Sequence, residues 1–269
     1  MSALATQLAT LRRQAGIATP QATLISRSPV PEELRRLLGV RARAESRTFS
    51  FDRQLPGDEI APGLRYLERR LEWPEAPALL DASFAKFGDI PRRHLLQFDT
   101  ETTGLSGGTG TRAFMIGAAD WPDDRLRVRQ LFLTTMGAEA AMLQAFAQWL
   151  NPDTVLVSYN GRCYDAPLLA TRYRLARMPN PLTALRHLDL LFPVRRRYRG
   201  VWENCRLATI ERHLLGVIRE DDLPGSEAPQ AWRDYLQGGS SRNLRRVADH
   251  NDQDLRSLSA LLLRMAQDP

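Results

Sequence analysis

The chain has 269 residues, 43% hydrophobic and 25% charged, the balance of an ordinary globular protein, which excludes collagen-like, mucin-like and wholly disordered readings. Its 37 Lys and Arg against 31 Asp and Glu give a net charge of +6, which favours an anionic partner such as nucleic acid. Lys86 is the sole lysine, so the positive charge is almost all guanidinium, suited to bidentate phosphate contacts and equally explained by an arginine-rich genome.

In chain order, prolines punctuate residues 1–90, where short helices over 32–38 and 63–71 are expected in an extension that packs on something else. From residue 91 a regular α/β domain is expected. Residues 94–99, 113–121 and 125–133 read as three successive strands, the last alternating through Leu126, Val128, Gln130 and Phe132, with Asp123 and Asp124 in the turn before it. Residues 138–150 have helical spacing and stop at Asn151-Pro152. A strand over 154–159, a helix over 166–177 and a strand over 185–191 follow. Helices are then expected over 207–215 and 243–265. In the last helix Leu244, Ala248, Asn251, Leu255, Leu258 and Leu262 form a seam facing the sheet.

Two cysteines, Cys163 and Cys205, lack paired-ligand spacing, so a reducing cytoplasm is expected and a zinc site is not. Residues 1–16 lack the basic start and apolar core of a secretory signal, and no apolar run reaches spanning length, so a cytoplasmic protein away from membranes is expected.

The chemistry lies in acids. In FDTETTG, Asp99 and Glu101 are two apart on a buried-looking strand. Both therefore leave the same face, where adjacent carboxylates repel unless a hard cation such as Mg²⁺ or Mn²⁺ relieves them. In SYNGRCYDAPLL, Asp165 opens a helix, as a cap or as a third acid. Parallel strands ending on one sheet edge would set it across from Asp99. In DHNDQDLRSL, His250 and Asp254 share a helix face, while Asp252 points away and is expected to be a solvated acid. Asp189, Asp221 and Asp222 are read as capping or turn residues. No GxSxG elbow is present, which argues against a serine nucleophile.

Taken together, FDTETTGLSGGTGTRAFMIG, SYNGRCYDAPLL, DDLPGSEAPQAW and HNDQD resemble the DEDD superfamily of 3′–5′ exonucleases, and within it the YprB-like branch of ribonuclease-H-like proteins. The likeness covers about residues 94–265. It implies an α/β ribonuclease-H-like fold: a mixed central sheet, a three-strand antiparallel meander then parallel strands, flanked by helices. On this division residues 1–90 are an N-terminal extension and residues 91–269 the exonuclease domain. The resemblance implies that Asp99, Glu101, Asp165 and Asp254 ligate two Mg²⁺ or Mn²⁺ ions, with Asp99 bridging, and that His250 is the general base of phosphodiester hydrolysis on single-stranded DNA or RNA. One departure stands out: the histidine subgroup has HxxxxD and the tyrosine subgroup YxxxD, whereas His250 and Asp254 form HxxxD. The role of His250 as base therefore stays open, and a noncatalytic nucleic-acid-binding module is the alternative.

Nucleic-acid contacts are expected at Thr102, Gly104, Leu105 and Arg112 around the glycine-rich segment 105–112, and at Asn160. A second expected contact is the basic loop over 194–200, with Arg195, Arg196, Arg197 and Arg199 around Tyr198 and near Trp202.

Overall fold

The computed structural model describes residues 52–73, 76–104, 109–220 and 222–267. The expected helix over 32–38, together with Leu105 and Asp221, lies outside them. Nine strands occur among the described residues: β1 (Asp58–Ala61), β2 (Leu64–Glu72), β3 (Leu79–Asp81), β4 (Asp89–Pro91), β5 (Leu95–Thr102), β6 (Ala113–Asp120), β7 (Arg125–Leu133), β8 (Val155–Ser158) and β9 (Arg186–Asp189). Seven of them build one mixed sheet in the order β1-β2-β7-β6-β5-β8-β9, while β3 and β4 pair separately. The meander β5-β6-β7 is antiparallel, and β8 and β9 add to β5 in parallel. This is the mixed, helix-flanked α/β sheet that the sequence implies.

The helices are α1 (Glu139–Ala147), α2 (Asp165–Leu175), α3 (Leu191–Tyr198), α4 (Leu207–Ile210), α5 (Ala228–Leu236) and α6 (Arg242–Gln267). A five-residue π turn, Glu211–Leu215, continues α4. Three expectations need correction. Residues 63–71 form a strand: Leu64, Leu67 and Leu71 mimic helical spacing, but β2 pairs with β7 at nine successive positions, which satisfies its backbone better than an isolated short helix would. Because this hairpin belongs to the main sheet, the division drawn near residue 90 passes through the sheet domain. Residues 194–200 were expected as a loop, yet most of them lie in α3, whose Leu191 and Val194 are buried while its arginines face outward. The helix α5 was not anticipated; Pro229 starts it, and Trp232 anchors it by stacking on Phe114 at 5.2 Å and donating to the Leu133 carbonyl at 2.7 Å.

Strand alternation separates the faces of β5. Leu96 and Phe98 join Phe146 of α1 and Leu169 and Tyr173 of α2 in one apolar cluster. Leu95 packs in another with Leu255, Leu258 and Leu262 of α6. Asp99 and Glu101 are in phase with Leu95 and so fall on the α6 side.

A close approach brings α6 there. Gly117 of β6 lies under Asn251, and a Cβ on it would stand 2.0 Å from the Asn251 Oδ1 and 2.8 Å from a Leu255 methyl. We expect Gly117→Ala to push α6 off the sheet and to destabilise the fold by about 1–3 kcal/mol, the usual range for overpacking. The urea midpoint measures this, and an unchanged midpoint would show that the contact has slack.

Candidate functional site

The end of β5 collects polar groups from four separate stretches of chain. Asp99 is partly buried and Glu101 fully so. Asp99 accepts a hydrogen bond from Asn251 Nδ2 at 2.9 Å. The Asn251 Oδ1 accepts in turn from the buried Gln130 Nε2 at 2.9 Å, and Gln130 also donates to the Ala248 carbonyl at 2.7 Å. Strand β7 thus fixes the helix residue that fixes the β5 carboxylate.

Asp165 arrives by a different route. The chain leaves β8, whose parallel register with β5 runs through Gln97 and Val157, and turns sharply at Asn160, which has φ of 70°. Asp189 stabilises this turn by accepting from the Asn160 amide at 2.7 Å, the Arg162 amide at 3.0 Å and the Leu191 amide at 3.0 Å; its capping role is the one expected. A side chain at Gly161 would stand 2.6 Å from Ser158 and 3.2 Å from the Asp165 carboxylate, so glycine is needed there for α2 to start beside the strand end. Asp165 then accepts from the Thr100 hydroxyl.

On α6, Asp254 accepts from Arg219, and its second oxygen stands 3.5 Å from His250 Nε2. The other ring nitrogen, His250 Nδ1, is 2.7 Å from Asp222 Oδ1 and 3.1 Å from Arg219 Nη1, which leaves Nε2 turned to Asp254. Asp222 is therefore more than the turn residue it was read as. Asp252 corrects another expectation: it is 4% exposed and paired with Arg256 at 2.6 Å and Arg69 at 3.6 Å. Part of that cover is the Arg69 side chain, which comes from β2, a segment not read as a strand.

The four acids act on each other across this junction. Burial raises Asp99 well above the ordinary carboxylate range, and repulsion by Asp165, Asp254 and Glu101 adds to it. Burial, then Asp254 and Asp165, pushes Glu101 up to about 8. Burial raises Asp165 to about 6, against the Thr100 hydrogen bond that favours its ionised form. Burial also raises Asp254, opposed by the Arg219 charge. Asp99 and Glu101 thus lie near enough to Asp165 and Asp254 for like-charge repulsion to reach them.

An all-oxygen donor set with this excess of negative charge suits a hard divalent cation. Among the described residues no trio of His, Cys, Asp or Glu closes on a common point, and Asn251, Thr100 and Arg219 each hold one carboxylate.

Beside the acids lies an open cleft of about 460 Å³, lined by Asp99, Asp165, Thr102, Gly104, Asn160 and Tyr159, among others. Thr102, Gly104 and Asn160 thus share the cleft with the acids. Arg112 instead pairs with Glu139 at 2.9 Å. The same Glu139 takes Arg172, which reaches the Thr109 carbonyl at 2.8 Å, so the far end of the glycine-rich segment is tied to α1 and α2. Arg195, Arg196, Arg197 and Arg199 do not line the cleft. Arg196 bonds the Phe84 carbonyl, and Arg197 lies over the Tyr198 ring. Arg195 is near enough to the cleft residue Tyr159 for its charge to favour the phenolate, although burial dominates and raises that group overall. Sequence reasoning missed Arg219, Glu211 and Thr100 as site residues and read Asn251 only as part of an apolar seam.

Residues 96–266 match the family model of the RNase_H superfamily, and the chain belongs to that superfamily. Its fold is of the nuclease type. Over 177 residues, 65% of the chain, it is 37% identical to the uncharacterized protein YprB of Bacillus subtilis (strain 168), of which the match spans 43%; the chain covers less than half of that relative. Among solved structures, the family B DNA polymerase of the hyperthermophilic archaeon Pyrobaculum calidifontis is similar with a TM-score of 0.50 at 16% identity, over 62% of this chain and 24% of the polymerase. A product-bound exonuclease I is similar with a TM-score of 0.39 at 16% identity, over 57% of this chain and 45% of that one. At such identity the polymerase likeness is one of fold alone. No helix among the described residues is long and apolar enough to cross a membrane.

The raised carboxyls fix a sign for stability against pH. Between the ordinary 4.5 and about 8 for Glu101, the folded chain holds a proton that the unfolded chain has released, so stability falls as pH rises through this interval. Buried His187, lowered to about 4 from 6.5, pulls the other way, but only below pH 6.5. The thermal midpoint of ion-free protein in a chelator should therefore drop between about pH 6.5 and 8, and Glu101→Gln should flatten the drop. A wild-type midpoint that rises across that window contradicts the assignment.

Proposed function

We propose that the chain is a divalent-metal-dependent 3′–5′ exonuclease that hydrolyses phosphodiester bonds of single-stranded DNA or RNA. The observation that carries the reading is the gathering of Asp99, Glu101, Asp165 and Asp254 near the end of β5, with Asp99 and Asp165 lining a cleft. Asp99, Glu101, Asp165 and Asp254 would hold two Mg²⁺ or Mn²⁺ ions. When bound, the ions supply Lewis acidity that favours hydroxide over water and steadies the departing 3′ oxygen.

The chain's own residues do the rest. His250 accepts the proton of the attacking water at Nε2, while Asp222 keeps Nδ1 protonated and steadies the charge that forms on the ring. The HxxxD spacing puts His250 one helical turn before Asp254, on the same face of α6, so the imidazole borders the acids. Asn251, braced by Gln130, holds Asp99 in place. Thr102, Gly104 and Asn160 line the cleft where the terminal nucleotide would lie. From there a strand would run past Tyr159 toward Arg195, with Tyr198 and Trp202, stacked at 4.5 Å, as an aromatic surface beyond. Under this reading DNA and RNA differ only by contacts to the 2′-hydroxyl.

The test uses single-stranded oligonucleotides labelled at the 5′ end, with Mg²⁺ or Mn²⁺. Wild-type protein should give a ladder shortened from the 3′ end and no product in chelator. Asp99→Asn and Asp165→Asn should lose nearly all activity while keeping the fold, and Asp222→Asn should lose about a hundredfold in kcat, the scale of a displaced general base. Oligonucleotide binding without shortening under every metal condition would contradict the reading and leave a noncatalytic binding module.

A further inference from the structure

Glu139 opens α1 and does not line the cleft, yet it ties the two sides of the cleft to one another. On one side Gly104 and Thr111 come from the connection between β5 and β6; on the other Tyr164, Asp165 and Leu168 come from the start of α2. Arg172 stands four residues beyond Leu168, on the same face of α2. It grips Glu139 with two parallel bonds, Nε to Oε1 at 2.5 Å and Nη2 to Oε2 at 2.7 Å. Its third nitrogen, Nη1, donates across to the Thr109 carbonyl at 2.8 Å. Arg112, next to Thr111, donates Nη1 to the same Glu139 Oε2 at 2.9 Å. Three stretches of chain that are distant in sequence therefore meet at one carboxylate.

The cluster is shielded: Arg172 is 5% exposed. Without the charge of Glu139, two guanidinium groups would face each other across a neutral partner and repel. The acids are held by other means. The core residues Leu169 and Tyr173 anchor α2, and the Tyr173 hydroxyl donates to the Leu143 carbonyl at 2.7 Å. Asp99 and Glu101 pair with Gly117 and Met115 of β6. What Glu139 adds is the tie from the β5–β6 connection to α1 and α2.

None of the described residues that line the cleft is Lys or Arg. Beside the acids the cleft offers hydroxyl, backbone and apolar surface, with Tyr164 exposed. Such a surface holds a sugar and a base by fit, and fit depends on how far apart its sides stand.

We propose that Glu139 is a positioning residue for the end of the strand. By holding Arg112 and Arg172 on one carboxylate it fixes Gly104 and Thr111 against α2, and so sets the width of the cleft that receives the terminal nucleoside. The proposal rests on the nuclease reading and adds to it a group that touches neither the acids nor the substrate. Its loss weakens binding of the strand end while the acids keep their places.

The test is steady-state kinetics of full-length Glu139→Gln beside wild type, on a 5′-labelled single-stranded oligonucleotide with Mn²⁺. KM should rise about tenfold with kcat within about twofold, the pattern of binding lost equally from ground and transition states. An ion pair with a structural role alone would lower the thermal midpoint without moving KM. Unchanged KM, or a fall in kcat at unchanged KM, overturns the proposal and leaves the proposed activity standing. No shortening by wild-type protein overturns both.

Should Glu139→Gln fail to fold, Arg172→Lys decides. Lysine keeps a charge beside Glu139, but one ammonium cannot make two parallel bonds to the carboxylate and also reach the Thr109 carbonyl. The same rise in KM is expected, and a wild-type KM in Arg172→Lys overturns the proposal.

Discussion

The structure depends on bringing like charges together where water is scarce. Four carboxylates lie near one another where β5, α2 and α6 converge, three of them accepting hydrogen bonds from Asn251, Thr100 and Arg219. The junction needs α6 to lie almost against the sheet. Gly117 provides the room and Gln130 supplies the hydrogen bond that orients Asn251 toward Asp99. Each of these groups lies on a different element, so the position of Asp99 is set by the packing of the whole α6 face rather than by local sequence.

Burial and like charge both disfavour the ionised form of these acids. The donors seen on Asp99 and Asp165 are neutral, while the one on Asp254 is a guanidinium. The same asymmetry separates the two neighbourhoods of the cluster: the cleft lined by Thr102, Gly104 and Asn160 on one side, and the Asp222, His250 and Arg219 network on the other.

Much of this was legible in the sequence, and the failures have physical causes. The meander, the parallel strands and the long final helix were marked by their periods of 2 and 3.6, and the acids of FDTETTG by their two-residue spacing on a buried strand. Strand β2 was missed because Leu64, Leu67 and Leu71 satisfy a helical period, and the pairing with β7 that decides the matter is non-local. Missing β2 also misplaced Asp252, since its partner Arg69 lies on that strand. Arg219 and Glu211 carry no motif, and their meaning arises only when a π turn and a short loop fold back on α6. Asp222 was read as a turn residue because its partner His250 is distant in sequence, although the segment DDLPGSEAPQAW was part of the resemblance. The basic run over 194–200 was read as a loop because the buried Leu191 and Val194 that make it a helix precede or open the run.

The claim underlying the account is that acids in this cluster hold protons in place of divalent ions. It is tested most directly by titrating the metal-free protein with Mn²⁺ at pH 7 in buffers of different ionisation enthalpy and reading the protons released on binding. The account predicts saturable binding with net release of protons, diminished when Glu101 is replaced by Gln. Saturable binding with no proton release, or no binding at all, would contradict it.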